Sequence, residues 1–162
     1  MKQNHFWLTP PKMYQALDDE FHFDFDPCPY PRPPEFNGVA VPWGQSNYVN
    51  PPFRRSDGAF GAGPTAFVRK AILEQQQGKS SVIVIPTMAF INMLLEAGAE
   101  CRSMGRVPWL DCESGQPWPS PTSITAFILR GRTTASPDWV LCARCGEEPV
   151  YENDLCWNCL DG

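Results

Sequence analysis

Eighteen of the 162 residues are proline, one residue in nine. Proline removes a backbone donor and breaks helix interiors, so a chain this rich in it cannot be a helical bundle and must carry long irregular connections. Enough apolar residues remain for a core: 43% are hydrophobic and 12% aromatic, against 19% charged. The longest mostly apolar stretch, residues 82–95, is interrupted by Pro86, and the first residues, MKQNHFWLTPPK, have no apolar signal-peptide centre. A soluble, cytoplasmic protein with no membrane association is therefore expected.

Apolar spacing supplies the elements. Thr9-Pro10-Pro11 suits a helix start, with Thr9 as N-cap, and Met13, Leu17 and Phe21 then recur on one helical face. Phe21, Phe23 and Phe25 alternate with His22, Asp24 and Asp26, the pattern of a short strand stopped by Pro27. Residues 27–45 read as a loop with one brief strand at 39–41, and 47–49 as a strand running into Asn50-Pro51-Pro52-Phe53. A glycine-rich loop follows at 54–64. Residues 64–77 form a helix burying Phe67, Val68, Ala71 and Ile72, and the β-branched run 81–85 has the composition of a strand covered on both faces. Thr87 caps a helix reaching Gly98, residues 99–121 are turn-rich, and 124–129 form a last strand. This order predicts an α/β fold with a mainly parallel sheet.

In such a sheet ligands bind beyond the carboxyl ends of the strands, where Asn50 would stand. Two successive prolines fix the backbone and remove two donors, which leaves the nearby carbonyls as uncontested acceptors. An asparagine oxygen and a main-chain carbonyl together grip both hydrogens of a planar amine, and Phe53 offers a stacking face for an aromatic ring. The alternative is that Pro-Pro ends a strand and Phe53 is core.

Three segments together, Trp7-Leu8-Thr9-Pro10-Pro11, Glu20 to Cys28 (EFHFDFDPC) and Val49-Asn50-Pro51-Pro52-Phe53, resemble the S-adenosylmethionine-dependent amino-methyltransferases, and among them the short phage-type DNA adenine-N6 methyltransferases. The resemblance covers about residues 6–131. It implies a reduced Rossmann-like methyltransferase domain over 1–133. Thr9 and Pro10 would contact the amino-acid moiety of S-adenosylmethionine, and Asp24 or Asp26, beside Pro27, would lie near its ammonium or ribose. Asn50 and the Pro51 carbonyl would hold the N6 amine of an adenine flipped from DNA, with Pro52 completing the motif and Phe53 stacked on the base. Arg54 and Arg55 would meet phosphates. Cys28-Pro29-Tyr30-Pro31 replaces the family's glycine loop, and Glu35 and Trp43 are the remaining candidates for contacts with the cofactor's ribose and adenine; for Trp43 a place in the core is the alternative.

Charge is unevenly spread. Residues 50–133 carry nine basic and six acidic side chains, whereas 134–162 carry one and six. The middle of the chain is thus compatible with a nucleic-acid face. Four of the seven cysteines, Cys142, Cys145, Cys156 and Cys159, form two Cys-x-x-Cys pairs separated by ten residues. That spacing predicts a closed tetrahedral zinc ribbon over 138–162, structural rather than catalytic, with Trp157 a candidate protein contact. Thiol redox chemistry is the alternative. His5 and His22, the only histidines, form no ligand or triad pattern.

The function expected is methyl transfer to adenine N6 in DNA. The same chemistry on RNA or on a glutamine side chain, and a catalytically degenerate adaptor that binds protein or nucleic acid, are the alternatives.

Overall fold

The computed structural model describes residues 7–53 and 62–132. Arg54, Arg55 and the four clustered cysteines, with the whole expected ribbon, lie outside the described residues. In chain order the elements are β1 (Trp7–Leu8), α1 (Pro11–Phe21), β2 (Ser46–Val49), α2 (Pro64–Gln76), β3 (Ser80–Pro86), α3 (Ile91–Glu96), β4 (Glu100–Gly105), β5 (Pro108–Asp111), β6 (Pro117–Pro119) and β7 (Ile124–Leu129).

These strands form two sheets, a mixed one in the order β2-β3-β7-β4 and an antiparallel one in the order β1-β5-β6. The expectation of a reduced Rossmann-like fold with a mainly parallel sheet is therefore corrected. The only parallel neighbours among the named strands are β2 and β3, joined through α2 as a crossover must be. β7 runs antiparallel to both β3 and β4. The cause lies in residues 99–121, which are not turns but three short strands that carry the chain back so that β7 enters between β3 and β4. Prolines disguised them: Pro108, Pro117 and Pro119 sit within or at the ends of β5 and β6, where short strands tolerate a missing donor.

Other expectations change locally. Residues 21–26 make one isolated bridge, Phe25 with Asn47, rather than a strand, because His22 turns left-handed (φ 50°) to end α1. Residues 39–41 form no strand. Thr9 does not cap α1, whose cap is Pro10. The Thr87 hydroxyl donates to the Ser123 carbonyl, and α3 begins only after Phe90, itself left-handed at φ 58°.

The β3 and β7 runs are central, as their unbroken apolar character requires. Ile83, Ile85, Phe127 and Leu129 face a core shared with Phe67, Val68 and Ala71 of α2 and Leu94 of α3. Val82, Val84, Ala126 and Ile128 face the opposite core, shared with Leu17 of α1, Tyr48 and Trp109. The second core joins the mixed sheet to β5, and a cavity opens beside that junction. Among the described residues no helix is long and apolar enough to cross a membrane.

Candidate functional site

The carboxyl end of β2 delivers Asn50 to a cavity of about 200 Å³. Val49 and Pro51 are buried on either side, so the backbone that carries Asn50 is fixed. The Asn50 amide nitrogen donates to the Trp7 carbonyl at 2.9 Å. With the nitrogen committed to β1, the oxygen Oδ1 is the atom left to accept from an amine in the cavity. β1 is itself held by β5, Trp7 opposite Asp111 and Leu8 opposite Leu110. A second tie joins the hydroxyls of Thr9 and Tyr48. Tyr48, at the heart of β2, meets the ring of Tyr14 edge-on at 4.9 Å, and burial raises its hydroxyl pKa.

Thr9, Asp26, Pro27, Asn50, Pro51, Pro52 and Phe53 all line this one cavity. Residues about 40 positions apart in sequence thus meet, although the sheet is not the one expected. Phe53 is held edge-on by Trp109 of β5, with ring centres 5.7 Å apart and planes at 65°. Its remaining surface borders the cavity.

Pro10 and Asp24 are placed elsewhere. Pro10 uses its carbonyl to accept from the Met13 and Tyr14 amides at the start of α1. The Asp24 carboxylate accepts from the backbone amides of Gln45 and Ser46 at 3.1 and 3.0 Å, so it ties the loop to β2 and does not line the cavity. Asp26 is the carboxylate of the site. Burial pushes its pKa up to about 6 even though the Cys28 amide, donating at 2.7 Å, favours the charged form. Asp26 is half-buried in the cavity wall, and a cation placed beside it would favour its charged form.

Two contributors, the Trp7 carbonyl and Gly38, carried no signal in the sequence. Trp7 acts through its backbone carbonyl. Gly38 lets the loop close on Pro27: a Cβ there would come 1.8 Å from the Pro27 carbonyl oxygen. Trp43 donates from its indole nitrogen to the Gly38 carbonyl at 2.6 Å and belongs to the core. Glu35 is exposed and does not line the cavity. Arg32 and Phe36 complete the wall, and burial and Asp26 together push the Cys28 thiol well above its ordinary pKa. Tyr30 hydrogen-bonds Cys112, which links the cavity loop to the turn between β5 and β6.

Among the described residues no cluster of histidine, cysteine or carboxylate side chains could hold a metal ion. No family model matches the chain, and comparison with curated proteins and with solved structures also finds no match. Function must then be read from the site's own chemistry.

Proposed function

We propose that this chain transfers a methyl group from S-adenosylmethionine to the exocyclic N6 amine of adenine in DNA. One observation carries the reading: Asn50, its nitrogen fixed by the Trp7 carbonyl, stands beside Pro51 and Phe53 in a cavity whose carboxylate is Asp26. The sheet order does not decide the matter, because chemistry resides in the site rather than in the fold.

S-adenosylmethionine, when bound, supplies a methyl group on a positively charged sulfur. Asn50 Oδ1 and the Pro51 carbonyl accept the two hydrogens of the adenine amine and draw its lone pair out of conjugation. With the lone pair so exposed, the amine nitrogen would be the nucleophile toward that methyl group, and Asn50 and Pro51 would keep it oriented while one amine proton passes to water. No strong base is required for such a transfer. Phe53 stacks on the base, and Asp26 and Thr9 meet the amino-acid end of the cofactor. Pro10 and Asp24 leave the set of cofactor contacts. Arg54 and Arg55 serve as phosphate contacts, and Cys142, Cys145, Cys156 and Cys159 hold a structural zinc ion.

Adaptor function without turnover is the second reading, and the size of the cavity favours it. About 200 Å³ is less than the roughly 300–1,000 Å³ usual for small-molecule sites. Calorimetric titration of the full chain with S-adenosylmethionine separates the two. Micromolar binding that Asp26→Ala weakens supports the enzyme, whereas no binding, with or without DNA, supports the adaptor.

A further inference from the structure

The β1-β5-β6 sheet places three tryptophans on one face. Trp7 stands opposite Asp111, and Trp109 opposite Trp118. Residues directly opposite in an antiparallel ladder share a face, as do alternate residues of one strand. Asp111 and Trp109 alternate along β5, so Trp7, Trp109 and Trp118 all project to the same side. Their exposure rises outward. Trp109 is 3% exposed, behind Phe53. Trp7 is half-buried in the cavity wall. Trp118, on the edge strand β6, is 61% exposed, and its ring centre lies 6.1 Å from that of Trp7 with planes at 32°.

We infer that the open face of Trp118 stacks on an unpaired nucleobase adjacent to the one held at Asn50, which makes the β5–β6 hairpin part of the nucleic-acid surface. The inference rests on the proposed methylation reading for the identity of the ligand. Continuity carries it: the residue that anchors Asn50 is the one whose ring Trp118 contacts. A peptide strand is a poorer occupant, because Pro117 and Pro119 deprive the β6 edge of two donors that strand addition needs. Stacking needs no backbone donors and tolerates any base. Asp111 and Glu113, at the hairpin turn, repel phosphate, so the nucleic-acid strand leaves past exposed Arg106 at the hairpin's other end.

The test is fluorescence anisotropy of a labelled single-stranded, adenine-containing oligonucleotide with the full chain and with Trp118→Ala and Trp118→Phe. Loss of one stacked base predicts weakening by about 5- to 150-fold for Trp118→Ala, with Trp118→Phe retaining most of the affinity. Equal binding by Trp118→Ala and the parent overturns the inference, as does a parent that binds no oligonucleotide. Self-association abolished by Trp118→Ala, with oligonucleotide binding unchanged, also overturns it and assigns the surface to a second copy. Failure of the underlying reading looks different: the oligonucleotide binds and depends on Trp118, but no methyl group is transferred.

Discussion

The Asn50 side-chain nitrogen and the Trp7 carbonyl lie 2.9 Å apart in hydrogen-bonding geometry, although 43 residues separate them. The pair connects the two sheets at the candidate cavity. Asn50 rides on the end of β2 in the mixed sheet, and Trp7 belongs to β1 in the antiparallel one. An asparagine free to rotate would present either end of its amide to a ligand, whereas this one is fixed with its acceptor available. Under the proposed reading, a preorganised acceptor would avoid reorganisation during reaction.

Asp26 costs the fold stability at neutral pH. Its pKa, raised by burial to about 6, means that the folded state holds a proton which the unfolded chain releases near pH 4. Folding stability attributable to this group is therefore greatest at low pH and falls as pH rises from about 4 through 6, by on the order of 3 kcal/mol. Asp26→Asn should flatten that fall and raise the melting temperature at pH 8. The same variant should weaken S-adenosylmethionine binding about tenfold or more. Unfolding scans across pH 4–8 check the first expectation, and calorimetry checks the second.

Glu74 works in the opposite sense. It is 1% exposed, and burial alone would raise its carboxyl pKa. Lys70, 2.7 Å away, and Lys79 outweigh burial and hold it below the ordinary value of 4.5. Its contribution is present above that value and is lost as the pH falls through the lower folded pKa. Glu74→Ala leaves Lys70 and Lys79 without their shared partner and should destabilise the chain by about 1–3 kcal/mol. Urea denaturation at pH 7 measures this.

Gly38→Ala should damage the cavity from outside its chemistry. The added carbon meets the Pro27 carbonyl oxygen at 1.8 Å, so backbone must move. A loss of about 1–3 kcal/mol is expected, together with weaker ligand binding because Pro27 lines the site. A variant with parental stability and affinity would show that the loop accommodates the carbon freely.

Zinc content tests the proposal for the cysteine-rich end of the chain. Elemental analysis should find one zinc per chain, and Cys156→Ser should lower that content and the cooperativity of unfolding. Full-length protein purified without metal, with four reactive thiols and unchanged unfolding, would favour redox chemistry instead.

The grouping of several candidate residues was more legible in the sequence than topology. Asn50 to Phe53, Thr9 and Asp26 are recognisable from residue type and order, and they do line one cavity. The buried strands β3 and β7 are equally plain, since a continuous apolar run is what two-sided burial demands. Strand direction was hidden because it depends on β4, β5 and β6, three short strands punctuated by proline and glycine. Asp24 and Asp26 are indistinguishable in an alternating pattern. What separates them is that the Gln45 and Ser46 amides claim one and leave the other in the cavity. The Trp7 carbonyl was invisible for a simpler reason: every residue has one, and only the pairing of β1 with β5 aims this one at Asn50.

The most direct test of the central claim is methyl transfer itself. The full chain is incubated with isotopically labelled S-adenosylmethionine and DNA, and the nucleosides are then analysed by mass spectrometry. Labelled N6-methyladenine should appear, and Asn50→Ala should reduce its rate at least about 100-fold while S-adenosylmethionine still binds. Label absent from adenine, or a transfer rate unchanged in Asn50→Ala, would contradict the assignment of Asn50 as the residue that holds the target amine.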